Sequence, residues 1–113
     1  RVLLAALPRA GFTNWMKGPT GTRTLARLTP RTTVDARAFR AIVARAREDD
    51  HCLASEEHEL GVHALAVPLR NMQGRTVAAM NVVTAPERLG PAALQRDLLP
   101  ALLEAARELR PLL

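Results

Sequence analysis

Val62-His63-Ala64-Leu65-Ala66-Val67-Pro68-Leu69 and Arg75-Thr76-Val77-Ala78-Ala79-Met80-Asn81-Val82-Val83-Thr84, joined by Arg70-Asn71-Met72-Gln73-Gly74, decide the fold class of this chain. Both runs are rich in β-branched and apolar residues. The Asn and Gly between them suit a tight loop, so the two runs read as a β-hairpin. Pairing Leu69 with Thr76 sets Val67 opposite Ala78, Leu65 opposite Met80 and His63 opposite Val82 on one side of the ribbon. The other side then carries Pro68 with Val77, Ala66 with Ala79, Ala64 with Asn81 and Val62 with Val83. The first side is bulky and suits packing on helices. The second has an alanine-rich centre and one amide, and the volume that small side chains leave must be filled. Two fillers are open: a covering helix that approaches closely, or a small ligand oriented by Asn81 against an apolar wall. Pro68 lacks a ladder donor and asks for an edge position or a bulge.

Outward from the hairpin, Asp35 is a good N-cap. Phe39, Ile42, Val43 and Ala46 follow it at three- and four-residue spacing, which predicts an amphipathic helix of roughly 13 residues. Glu48-Asp49-Asp50 opposes the helix dipole, so the helix should stop near Asp50, with Asp49 or Asp50 left-handed. His51–Ala54 reads as a brief strand and Ser55–Gly61 as a polar connector. Pro91 after Gly90 opens a last helix with a stripe of Leu94, Leu98, Leu102, Ala105 and Leu109, which Pro100 should kink or split. Residues 1–7 read as helical and closed by Pro8 and Gly11. Residues 8–34 read as surface loop with one short amphipathic turn at Phe12, Trp15 and Met16. The order implies an α+β domain, an antiparallel sheet with helices on one face.

Composition narrows the function. The 113 residues fit one domain. No apolar run approaches the roughly 18–20 residues that span a bilayer, so no membrane partner is expected. The single cysteine excludes an intrachain disulfide framework and points to a reducing cytoplasm. Aromatic residues are 3% of the chain, too few for a stacking surface for single-stranded nucleic acid. The net charge of +5 is unevenly spread: residues 1–47 hold nine Arg and Lys17 against Asp35 alone, while the remainder is acidic. Such asymmetry can steer an anionic partner, or it is a solvated Arg-rich surface.

Ser55, Glu56, Glu57, His58, Glu59, His63, His51 and Cys52 form the only cluster with catalytic or metal-binding potential. It has neither CxxC nor HExxH spacing, and no glycine-rich approach to Cys52. Its plain reading is a loop whose carboxylates cap backbone amides or pair with arginines. Neither enzyme activity nor a cofactor is expected.

The run Leu53-Ala54-Ser55-Glu56-Glu57-His58-Glu59-Leu60-Gly61-Val62-His63-Ala64-Leu65-Ala66-Val67-Pro68-Leu69 closely resembles the signature of the IclR family of bacterial transcriptional regulators. The likeness continues through Asn71–Val82. Arg1-Val2-Leu3-Leu4-Ala5-Ala6-Leu7-Pro8, Leu28-Thr29-Pro30-Arg31-Thr32 and Leu98-Leu99-Pro100-Ala101-Leu102-Leu103 also look like family stretches, the last like that of the aromatic-catabolism branch, the protocatechuate and β-ketoadipate regulators. The resemblance implies a GAF-like effector-binding domain, matched here over its later two-thirds, so that residues 1–113 would be a partial domain truncated at its N-terminus. A DNA-binding winged helix-turn-helix and a glycine-bearing pocket loop would precede Arg1, and a homodimer or tetramer is implied.

Family effector contacts carry over onto Ala54, Ala64, Asn81 and Val83. The first is usually Asp, the second often Cys or Ser, and the last two often Ser. Three of the four are apolar here, while Asn at position 81 is similar to the branch that senses aromatic acids. With Ala66 and Ala79 from the hairpin register, these six residues form the candidate effector site. The resemblance implies a small carboxylate metabolite as ligand, an aromatic acid in that branch. The alternative is a ligand-free structural or oligomerising remnant. Other departures from the family pattern are Ser55 for an acid, His63 for Arg, Asp50 for Gly, and residues 8–34, where the family has a helix after the first proline.

Overall fold

Three antiparallel strands in the order β1–β2–β3 form the centre: β1 is Cys52–Ser55, β2 is His63–Arg70 and β3 is Thr76–Thr84. The computed structural model describes residues 1–19, 25–85 and 90–113, so part of the expected 8–34 loop lies outside the described residues. Asn71 organises the hairpin loop. Its N–H donates to the Arg75 carbonyl at 2.9 Å, and its Oδ1 accepts from the N–H groups of Gln73 at 3.1 Å and Arg75 at 3.0 Å. Gly74 closes the loop at φ +80°, a conformation that glycine adopts without steric cost.

The register differs from the expected one. Arg70, not Leu69, pairs with Thr76, and an irregularity beside it makes Leu69 the partner of Ala78. From there Pro68 faces Ala79, Val67 faces Met80, Ala66 faces Asn81, Leu65 faces Val82 and Ala64 faces Val83. The shift is two residues over most of the ribbon. Side chains alternate with period two, so an even shift leaves every residue on its expected side. Pro68 is in the central strand and not at an edge. The last pair between β1 and β2 is Cys52 with Ala66, so beyond it β2 has a partner on one flank only, and the bulge follows immediately. The missing N–H is tolerated there.

Upstream, α1 is Val2–Ala5, α2 is Arg9–Lys17 and α3 is Ala36–Asp49. The loop expected from residue 8 onward is corrected: Pro8 is the N-cap of a nine-residue helix, and Gly11 lies inside it. Gly11, Thr13 and Asn14 are weak helix formers, so packing of the buried Phe12 and Met16 overrides local propensity. These two side chains join Ala5, Phe39, Val43 and Ala46 in one core, with Leu4, Trp15, Leu25 and Cys52 against it. The Trp15 ring stacks between Phe12 and Phe39, with centroids 6.5 and 6.4 Å away.

The α3 helix follows its sequence signals. Asp35 Oδ2 accepts the Ala38 N–H at 2.8 Å, and Asp50 ends the helix at φ 61°, ψ 27°. Arg47 reaches back to α1, its Nε donating to the Ala5 carbonyl at 2.9 Å and its Nη2 to the Leu7 carbonyl at 3.0 Å. It thereby satisfies carbonyls that the short helix leaves free. Asp50 also accepts both terminal nitrogens of Arg70 at 2.6 Å, and those hydrogen bonds hold its carboxyl below the usual aspartate range. The left-handed backbone can be tested apart from this ion pair. Asp50→Gly and Asp50→Ala both lose the carboxylate, so the glycine variant should be more stable by about 1 kcal/mol, read from urea midpoints.

Helices cover both faces of the sheet, not one. Cys52 shares its face with Ala66 and packs on the α1–α3 core. Leu65, Val67 and Leu69 point the other way, lie outside that core and are buried, as is Leu94. On that side α5, Leu99–Leu109, runs along β2. Pro91 starts α4, Pro91–Ala93, as its position after Gly90 predicts. A π-helical turn over Leu94–Leu98 then separates α4 from α5. Pro100 accounts for it: the ring cannot donate and would clash with the carbonyl four residues back, and a wider turn relieves the clash. Among the described residues no helix is long and apolar enough to cross a membrane.

Candidate effector site

Strand pairing collects the expected site residues on one face. Ala54, Ala64 and Val83 form one row across the three strands, and Cys52, Ala66 and Asn81 form the next. Pro68 with Ala79 is the third row. All six expected residues, Ala54, Ala64, Ala66, Ala79, Asn81 and Val83, therefore lie on the same side. Ala54, Ala64 and Ala66 are half-buried, whereas Ala79, Asn81 and Val83 are exposed. Toward the hairpin the face is covered: Val2, Ala5 and Ala6 of α1 meet Pro68 and Thr76 around a small cavity of about 40 Å³. At the other end Val83 keeps 58% of its surface in solvent, so α1 fills one end of the face and leaves the other open.

Cys52 is the member of this face that sequence reasoning missed. The sequence presents it beside His51 as a poor nucleophile. Only the β1–β2 register places its thiol in the row of Ala66 and Asn81. Burial pushes this thiol above the usual cysteine range, so it is a neutral, weakly polar group at pH 7. The side chains of the three rows are thus small and without charge of their own, with the Asn81 carboxamide as an exposed donor and acceptor and the Arg1 guanidinium beside the Cys52 thiol.

The acidic connector beside the face is structural. Glu56 stands at φ 57°, and its Oε1 accepts the Gly61 N–H at 3.0 Å while Oε2 meets Arg31 Nε at 3.1 Å. Thr29 and Thr32 donate their hydroxyls to the carbonyls of Glu56 and Glu57, each at 2.6 Å. Glu57 accepts the Thr33 N–H at 2.9 Å and pairs through both oxygens with the two terminal nitrogens of Arg1. Arg1 also lies over the Phe39 ring, 5.7 Å from its centroid. Burial pushes the Glu57 pKa up, but the Arg1 hydrogen bonds, the Thr33 amide and the Arg1 charge outweigh it and bring it down to about 2. His63 is buried, its Nδ1 2.6 Å from the Oγ of Ser55, its cross-strand partner. Of the cluster with catalytic potential in the sequence, Ser55, Glu56, Glu57 and His63 are engaged in these contacts. Among the described residues no three His, Cys, Asp or Glu side chains converge as metal ligands.

Comparison with known proteins agrees with this architecture. The family described as bacterial transcriptional regulator IclR, C-terminal, matches residues 1–110. The p-hydroxybenzoate hydroxylase transcriptional activator of Acinetobacter baylyi is 41% identical over 112 residues, covering 99% of this chain and 40% of that protein. The Pca operon regulatory protein of the same organism is 41% identical over 113 residues, covering all of this chain and 39% of that protein. The chain thus spans about two-fifths of the length of these relatives. Among solved structures, the inducer-binding domain of a PobR double mutant from Acinetobacter, in complex with 3-hydroxybenzoic acid, superposes with a TM-score of 0.90 at 42% identity, covering 99% of this chain and 62% of that one. With the signature stretch, the sheet and the flanking helices all in their family places, the chain belongs to the C-terminal domain family of IclR-type bacterial transcriptional regulators.

Proposed function

We propose that this chain is the effector-sensing part of a cytoplasmic IclR-type regulator and takes a small aromatic carboxylate of the hydroxybenzoate class. The observation that carries the reading is the pair of rows Ala54–Ala64–Val83 and Cys52–Ala66–Asn81, a face of small side chains with one carboxamide. An aromatic ring lies flat over alanines, and burying it supplies the affinity, while Asn81 orients a hydroxyl or carboxylate. The similarity to a domain solved with 3-hydroxybenzoic acid supports the ligand class. The role is non-enzymatic. Effector binding favours one arrangement of a dimer or tetramer, and that bias reaches DNA through a winged helix-turn-helix of the same regulator.

Calorimetric titration with 3-hydroxybenzoate tests this. Binding is expected, and Asn81→Ala should weaken it by about five- to tenfold, the loss of one hydrogen bond, with the melting temperature of the free protein unchanged. An unaltered affinity would remove Asn81 from the site. A second reading, an oligomerising remnant without ligand, is favoured by the exposure of Val77 at 48% and Val83 at 58% on the outer strand β3. No heat and no melting shift with any hydroxybenzoate isomer, together with a stable dimer in sedimentation, would favour it.

A further inference from the structure

A cleft of about 770 Å³ lies between α1, the start of α2 and the β2–β3 hairpin, beyond the hairpin end of the effector face and lined by none of its six candidate residues. Its volume is in the range of small-molecule sites. Its apolar lining is Leu3, Ala6, Leu7 and Pro8, and its charged lining is Arg9, Arg47, Arg70 and Arg75. No acidic side chain lines it among the described residues. Two of the four cations are already engaged, Arg47 with the α1 carbonyls and Arg70 with Asp50. Arg9 and Arg75 are exposed and have no ion pair or side-chain hydrogen bond among the described residues. A smaller cleft of about 300 Å³ between α2 and α3 continues past Arg9 and Arg47 and adds Arg40, against the single acid Glu48.

Unpaired guanidinium groups and apolar side chains lining one cleft match a ligand with the same division. We propose that this cleft is a second binding site, for an organic carboxylate with an apolar body, with Arg9 and Arg75 clamping the carboxylate while the chain lies along Leu3 and Leu7. Guanidinium presents forked donors that fit a carboxylate better than a point charge does. Arg47 and Arg70 are held by their own partners and add positive charge to the lining.

The test uses the full chain, ¹⁵N-labelled, with hexanoate as probe and acetate and 1-hexanol as controls. Hexanoate is expected to shift the side-chain Nε–H resonances of Arg9 and Arg75 saturably. Acetate should bind at least roughly tenfold more weakly because it cannot cover the apolar wall, and hexanol should bind more weakly again because it lacks the charge. Arg9→Gln/Arg75→Gln, two exposed positions, should abolish the shifts while the rest of the spectrum stays folded. Equal binding of acetate would reduce the cleft to a surface that attracts any anion, and overturn the proposal. So would hexanoate shifts that move only the Asn81 amide, an outcome that leaves the effector face standing. Unchanged spectra at tens of millimolar hexanoate would overturn it as well.

Discussion

Leu65→Ala is expected to lower the unfolding free energy by about 2–5 kcal/mol, the largest single effect in this chain. Leu65 is 0% exposed in the central strand, paired with Leu53 on one flank and Val82 on the other. Truncation leaves a cavity between the sheet and the covering helix, and the strand backbone, tied on both sides, cannot collapse to fill it. Domains of this size hold about 5–15 kcal/mol in total, so the variant should be marginal at 37 °C. Urea denaturation with an unchanged slope would check it. A loss below about 1 kcal/mol would mean that the bulky face is not a packed core. The comparison residue is Val77 on the opposite side of β3, 48% exposed, where Val77→Ala should cost little.

Glu57→Ala should cost about 2–3 kcal/mol. That is below the ~3–5 kcal/mol of removing one member of a fully buried pair, because Arg1 and Glu57 keep 17% and 15% of their side-chain surface in solvent. The variant strands the Arg1 guanidinium over Phe39 and leaves the Thr33 N–H without its acceptor. The same group fixes an acid limb of stability. In the folded chain its pKa lies at about 2, below its ordinary value of 4.5. The carboxylate's contribution is therefore present in full above pH 4.5 and is lost as pH falls toward 2. Wild-type stability should drop through that window more steeply than that of Glu57→Gln, which has no proton to take up there. Parallel curves for the two proteins would show that Glu57 is not the group that titrates.

The α3 helix and its ends were legible because each signal is local. Asp35 needs only the next turn to act as a cap, and Asp50 is left-handed for reasons contained within the helix terminus. The interruption before Pro100 was legible for the same reason, since a proline acts on its own preceding turn. The α2 helix was not. Gly11, Thr13 and Asn14 argue against it locally, and the cluster of Phe39, Val43 and Ala46 that stabilises it belongs to a segment more than twenty residues further on. The covering of both faces was equally hidden, because period-two alternation says that two sides differ and not what lies on each.

The family stretches show the same division. Leu28–Thr32 and Ser55–Gly61 each read as a resemblance, but nothing in either says that Thr29 and Thr32 hold the carbonyls of Glu56 and Glu57. The sidedness of the candidate site came from the sequence alone. Period two places Ala64, Ala66, Ala79, Asn81 and Val83 on one side, and a register error of two residues could not disturb that. Tertiary structure alone decided three things: that Cys52 joins the row of Asn81, that α1 closes the hairpin end of the face, and that Arg9, Arg47, Arg70 and Arg75 meet in one cleft. Each of these depends on the distance between segments far apart in the chain. Distances of that kind are set by the packing of whole elements, which no local pattern of residues encodes.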